Sequence, residues 1–497
     1  MTDTSTLGQN SGEDATSNSS TIPSNDESCE AGYGDPSAQF HAFIHGAGIV
    51  DLSHREVVAV SGPDRLTWLT TLSSQVVDTL TPGDSQELLL MDAQGHITFA
   101  AGIFDTGTVA YLLVDQGQGA KLAAFLESMK FMLRVDIKYA DNMVQLGFVP
   151  GGSVEAALSL IAHTAAHQAN VGADPHNSTE DAVDFAAKNP VKDAAYCADD
   201  ATLPTTTPHT SHSAVQSLPG SGVDCSNTDI PELGDTDQFH KGCVIGVWRD
   251  PWPGITEGGT TYFQGTMPFV TPTAIAVVDV LRREQFIEAW LTLAKGYGSF
   301  PAETDDGYPI KKPILCGCDA WQAVRIANWR PSFATEVDTK SVPHELDWLR
   351  TAVHLHKGCY CGQETVARIV NLGRPPRRMV FIHIDGSTHE RPQHGADIVY
   401  GKRAMGKLTS VVYHPEEGWI GLGVVRRAAP DEECAQIVWT KTCDDDEPNK
   451  VSVSATVTAI VSPLGKCLES PQSRPGQGLR RLPGASGKMP NTGIGLG

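Results

Sequence analysis

The sequence predicts an α+β fold that ends in a small antiparallel β-barrel or sandwich. Two observations carry this. Short β-branched runs alternate with amphipathic helical stretches from about Phe40 to Val149, and from Arg378 onward the apolar period changes to two. Polar filler divides the rest. The 497 residues leave room for several folded units at roughly 150 residues each. The expected organisation is a disordered leader over 1–39, a first folded region over 40–150, a mostly disordered insertion over 151–240, a second folded region over 241–373, a barrel over 374–468 and a loose tail over 469–497.

Each element has its own signal. His54 to Val60 is a β-branched run that stops at Ser61-Gly62-Pro63-Asp64. Ser61 and Asp64 have capping-box spacing, and Leu66, Leu69, Leu72, Val76 and Leu80 follow at helical intervals. Gln86 to Met91 and Ala110 to Val114 read as strands, and Ala120 to Leu133 as an amphipathic helix. Val154 to Ala166 reads as one more helix before the composition shifts to Ser, Thr, Pro, Asp and His. Text of that kind cannot bury enough apolar surface to offset its ordering entropy. His163, His167 and the histidines near His209 and His212 invite a metal reading, but no cysteine or carboxylate cluster completes a tetrahedral set. Beyond the insertion, Trp248 and Trp252 sit in a stiff Pro- and Gly-rich loop that fits a domain-junction plug better than a stacking surface. Glu284 to Ala294 and Ala320 to Trp329 read as helices; Met379 to Ile384, Leu408 to Tyr413, Trp419 to Val425 and Val451 to Thr458 alternate as barrel strands.

Charge and composition exclude several functions. A formal net charge of -22 repels phosphate backbones and argues against nucleic-acid binding. No run approaches the ~20 apolar residues of a membrane span, and the polar start has no secretory signal, so a soluble cytoplasmic protein is expected. Eleven scattered cysteines suggest reduced thiols rather than a disulfide framework.

Chemistry concentrates in His354-Leu-His-Lys357-Gly-Cys359-Tyr360-Cys-Gly-Gln363-Glu364-Thr-Val-Ala-Arg368. Glycines bracket a turn that leads into a helix, and a cysteine near Lys357 and a helix N-terminus is a candidate nucleophile, redox thiol or metal ligand. A packed turn cysteine is the competing reading.

Lys357 to Glu364 resembles the K-G-C-Y-x-G-Q-E signature of the YgfZ-type folate-binding proteins, relatives of the glycine-cleavage T-protein, an aminomethyltransferase. Asp51 to Arg55, Val60 to Arg65, Asp92 to Ile97, Arg325-Ile326, Pro343 to Glu345 and Gly406 to Ser410 resemble other pieces of that superfamily in its order. The resemblance implies a ring-like arrangement of two α/β-type domains and a C-terminal antiparallel β-barrel, with tetrahydrofolate or a one-carbon derivative bound at the central hole. It implies that Arg325 contacts the folate, so that alanine there weakens binding without unfolding the chain. Tyr360, Gln363, Glu364 and Arg368 stand with Arg325 as cofactor-binding candidates, and Cys359 and Lys357 as the reactive pair.

Two departures matter. Ala327 and Trp329 replace the Glu and Gly of the R-[LI]-E-A-G segment, and Phe99-Ala100-Ala101 replaces the aspartate pair that the aminomethyltransferases carry after their G-G-I-x segment. The second argues against true aminomethyl transfer. What remains is an accessory role in iron–sulfur cluster assembly or repair, with assembly factors or client proteins as partners. A folate-dependent one-carbon transferase is the runner-up. A further rival reads Cys316, Cys318, Cys359 and Cys361 as four thiolate ligands of a metal or cluster.

Overall fold

The structure, a computed structural model, describes residues 34–171, 244–279, 283–296, 312–430, 434–441 and 449–471. Most of the expected leader, insertion and tail lies outside these residues, as do His209, His212 and the side chains of His163 and His167.

Helix α1 (Pro36–Ile44) starts inside the expected leader, because Asp35 caps it by accepting from the Ser37 amide and Phe40 and Phe43 anchor it in the core. The first sheet is built from β2 (Glu56–Ser61), β3 (Ser85–Met91), β4 (Ile97–Asp105), β5 (Val109–Val114) and β6 (Asp136–Tyr139) in the antiparallel order β3-β4-β5-β2-β6. Helices α2 (Arg65–Leu72) and α3 (Gly119–Met129) cover one face. The second sheet, ordered β10-β1-β7-β9-β8, uses β1 (Gly48–Asp51), β7 (Met143–Phe148), β8 (Val244–Arg249), β9 (Ala274–Asp279) and β10 (Ile314–Cys316), with only the β1–β10 pair parallel. Helices α4 (Ser153–Val171) and α5 (Arg283–Gly296) pack on one side of it through Trp290, Phe286 and Ile161. Helix α6 (Cys318–Ala327), the short α7 (Phe333–Glu336) and α8 (Gln363–Leu372) lead to a closed antiparallel barrel. Its strands are β11 (Arg377–Ile384), β12 (Asp397–Tyr400), β13 (Arg403–His414), β14 (Gly418–Arg426), β15 (Cys434–Lys441) and β16 (Asn449–Ala459), in the order β11-β14-β13-β12-β15-β16. The fold is thus α+β with a closed six-stranded barrel, as the change of period predicts.

Several boundaries differ from expectation for physical reasons. Helix α2 ends at Leu72, not Leu80, since Ser73 turns extended and the buried Ser74 and Gln75 side chains bond across to the Ala352 and Thr351 carbonyls. Asp64 does not cap it; its carboxylate takes the Arg134 amide and guanidinium instead. Helix α3 stops at Met129, leaving Phe131 in a left-handed turn and Phe131, Met132 and Leu133 exposed. Helix α4 runs on to Val171, past the composition shift. The expected loose tail begins ordered, with Ser470 buried and its hydroxyl donated to the Val370 carbonyl.

Candidate functional site

Period two decides what the first sheet shows to the middle of the molecule. In β3, Leu88 and Leu90 pack toward α2 and α3 while Leu89 and Met91 join the central core. Glu87 shares their side. In β5, Tyr111 and Leu113 face the centre, so Asp115 just beyond the strand does too, and Val57 in β2 places Arg55 alike. In β4 the same face carries Ala100, Gly102 and Phe104. Of these, Arg55, Glu87, Ala100, Gly102, Leu113 and Asp115 line a cavity between the two sheets, closed by Trp248, Asp250, Trp252, Trp321, Arg325, Arg330 and Trp348. Gly102 is required here: a Cβ would stand 2.6 Å from the Trp248 ring, whose N–H donates to the Gln86 carbonyl at 2.8 Å.

The cavity is strongly charged and buried. Arg330 Nη2 donates to Glu87 Oε1 at 2.6 Å and its Nε to Asp250 Oδ2 at 3.0 Å, with the guanidinium over the Trp252 and Trp348 rings. Glu87 also accepts from Trp348 Nε1 at 2.9 Å and Thr351 Oγ1 at 2.5 Å. Burial pushes the Asp250 carboxyl up to about 6 against the pull of Arg330, and the nearby Glu87 charge adds to the rise. Asp115 behaves oppositely. Burial would raise it, but Arg55 at 3.3 Å, the Ser332 hydroxyl at 2.8 Å and the Ala334 amide at 2.9 Å hold it below the usual carboxylate range.

Of the residues expected from sequence to form the site, only Arg325 lines this cavity. Its side chain is 8% exposed and each of its nitrogens has a partner: Nε donates to Gln322 at 2.7 Å, Nη1 to the Arg330 carbonyl and Glu336, Nη2 to Ser410 at 2.7 Å. Arg325 therefore ties α6 to barrel strand β13, a structural duty the sequence reading did not assign it. Trp329 adopts φ 58, the left-handed conformation that favours the glycine it replaces, and holds it by burying its ring against Phe263 and Phe381.

The remaining candidates form a surface turn. Lys357 does not aim at the thiol; its ammonium donates to the carbonyls of Thr70, Ser73 and Gln75 at the end of α2, and burial pushes it down to about 8, against the pull of Asp78. Tyr360 is buried under that ammonium, 5.1 Å from the ring centre. Gln363 Nε2 closes the turn on the Lys357 carbonyl at 3.3 Å, while Glu364 and Arg368 are exposed and paired with each other at 2.6 Å. Cys359 and Cys361 are free and exposed. The turn docks on the Asp92–Gly95 turn so closely that a Cβ on Gly362, which has φ 85, would stand 2.8 Å from the Asp92 carbonyl and from Gly95 Cα. Two segments that resemble the same superfamily thus touch backbone to backbone.

Among the described residues no group of three or more His, Cys, Asp or Glu is placed to hold a metal ion, which removes the four-thiolate reading. Cys316 is buried and bonded to the Gln39 carbonyl, and Cys318 is disulfide-bonded, an exception to the reduced thiols expected as the default. No helix among the described residues is long and apolar enough to cross a membrane.

The cavity residues Glu87, Asp115, Arg55, Asp250 and Arg330 escaped the sequence reading. A signal existed for three of them, a charge within or directly beside an apolar strand, though not the face it takes.

No protein-family profile matches the chain. Over 117 residues it is 30% identical to a chloroplastic protein of Arabidopsis thaliana that bears the provisional name of a transferase; the match covers 23% of this chain and 26% of that protein. The chain thus spans about a quarter of that relative's length. Among solved structures it is similar to the glycine cleavage system aminomethyltransferase T from Bartonella henselae, with 15% identity and a TM-score of 0.49 over 86% of this chain and 88% of that one.

Proposed function

We propose that the chain is a tetrahydrofolate-binding accessory protein of the glycine-cleavage T-protein superfamily, YgfZ-type, that assists iron–sulfur cluster assembly or repair. The observation that carries this reading is the Lys357–Glu364 turn, whose residues match the signature and whose Gly362 seats directly on the Asp92–Gly95 turn. The tryptophan-walled cavity supplies the place for a flat heterocycle, and its guanidinium groups suit a ligand with carbonyl or carboxylate oxygens. Calorimetric titration with tetrahydrofolate and its methylene and formyl forms is expected to show one saturable site. Absence of heat with every folate would remove the reading.

A one-carbon transferase is the second reading, favoured by the relative's provisional name. Against it, Ala100 presents a methyl group to the cavity where the aminomethyltransferases carry a carboxylate, and a methyl group accepts no proton.

The exposed cysteines test the accessory role. Because neither thiol is packed, Cys359→Ser and Cys361→Ser should both leave the melting temperature unchanged. In a strain lacking the native protein, iron–sulfur enzyme activity under oxidative stress should be restored by Cys361→Ser and not by Cys359→Ser. Full rescue by Cys359→Ser would leave the folate site alone to account for the function.

A further inference from the structure

Two guanidinium donors of residues that line the cavity, Arg55 Nε and Arg330 Nη1, are buried and have no partner among the described residues. The carboxylates beside them are in the opposite condition. Glu87 accepts from Arg330, Trp348 and Thr351; Asp250 accepts from the Trp252 amide and Arg330; Asp115 accepts from Ser332 and the Ala334 amide and pairs with Arg55. The cavity therefore holds surplus donors and no free carboxylate. A buried N–H without an acceptor is costly to the fold, and proteins keep such groups where something else completes them.

We propose that Arg55 and Arg330 are the specificity-determining residues of the cavity and receive a carbonyl or carboxylate oxygen of an aromatic ligand. The inference rests on the folate reading for the ligand's identity, and on the two orphaned donors for its chemistry. It distinguishes which part of a folate the site reads. An exocyclic amine or ring N–H needs an acceptor, and on the β4 wall of the cavity Ala100 and Gly102 offer no side-chain oxygen. A formyl oxygen, a ring carbonyl or the glutamate carboxylates can each meet a guanidinium. Arg325 is not assigned this role, because each of its three nitrogens already has an internal partner.

Lysine replacements make the test clean. Arg55→Lys keeps a cation beside Asp115, and Arg330→Lys keeps one beside Glu87 and Asp250, while each deletes its orphaned N–H. Three probes are titrated into the full chain: tetrahydrofolate, 5-formyltetrahydrofolate and p-aminobenzoylglutamate, with melting curves on every variant. The expected result is that each variant binds the best probe roughly tenfold more weakly or worse, at a retained melting transition. Stronger loss for the formyl form than for tetrahydrofolate assigns the formyl oxygen; equal loss for all three probes assigns the glutamate end. Should Arg330→Lys fail to fold, Arg55→Lys decides, since among the described residues Arg55 keeps one ion pair, at 3.3 Å. Wild-type affinity in the folded lysine variants overturns the inference and leaves the folate reading standing. Binding of p-aminobenzoylglutamate alone, lost in the variants, does the reverse. No binding of any probe to the wild-type chain overturns both.

Discussion

Arg325→Ala is expected to lower the unfolding free energy by about 3–5 kcal/mol, the cost of removing one partner from a buried ion pair. The size follows from what is left behind. Glu336 is fully buried, and its carboxylate accepts from the Ser332 amide at 2.8 Å, Thr335 at 2.7 Å, Thr409 at 2.8 Å and Ser410 at 2.6 Å. Arg325 supplies the only positive charge paired with it among the described residues. Without the guanidinium, neutral donors must hold a buried anion while the Arg330 carbonyl and the Ser410 hydroxyl each lose a donor. Urea unfolding measures the loss, and Glu336→Gln in the same background should recover part of it by removing the stranded charge. A loss below about 1 kcal/mol, the range of a surface pair, would mean that the network contributes little and would return Arg325 to the simple ligand role expected from sequence.

Arg325 also shows how far the sequence could be read. That it matters was legible, because it stands in a segment resembling a folate-contacting one. That its donors are internally occupied was not, because Ser410 lies 85 residues away and Glu336 is visible as a partner only once α7 folds back. The barrel was the easiest part to read, since one face of each strand packs inside and the period survives even in Val451 to Thr458. The first sheet was harder. Both faces of β3 and β5 are buried, so their sequences are nearly continuous apolar runs and the facing of Glu87 and Asp115 emerges only when the neighbours are known. Asp250 and Arg330 come from loops 80 residues apart. What the sequence does not carry is direction: Lys357 is near the Cys359 thiol in sequence, but its ammonium turns to three carbonyls at the end of α2.

Acid should destabilise the fold in the window from about pH 6.5 to about pH 4, on account of two histidines. His344 is fully buried, its Nε2 donates to the Val366 carbonyl at 3.1 Å and its Nδ1 has no partner among the described residues, so protonation would bury a charge and an unmet N–H. Burial accordingly pushes it down to about 4. His414 is pushed down to about 4 as well, mainly by burial against Phe40 and Phe269, with Glu417 pulling up and His383 and His41 pushing down; its Nδ1 accepts from the Glu416 and Glu417 amides, bonds that protonation would break. Both folded values lie below the 6.5 of a free histidine, so as pH falls through 6.5 the unfolded chain takes up protons that the folded chain refuses. Stability drops, and the drop is complete near pH 4, where the folded histidines also titrate. Each contributes on the order of 3 kcal/mol across that window. Asp250 works in the other direction, since its folded value of about 6 exceeds the ordinary 3.8 and the folded chain gains a proton first. For these three groups together the loss is close to that of one histidine, and Asp319, Glu345 and Asp347, which burial also raises, oppose it in the same direction as Asp250. His344→Gln keeps a side-chain N–H able to reach the Val366 carbonyl and removes the titration. Between pH 6.5 and 4.5 its unfolding free energy should fall less steeply than the wild type's by about 1 kcal/mol per pH unit on average, approaching one proton's worth, about 1.4, in the middle of the window. Parallel curves for the two proteins would show that His344 titrates alike in the folded and unfolded chains, and the acid loss would then rest on His414 and the carboxylates.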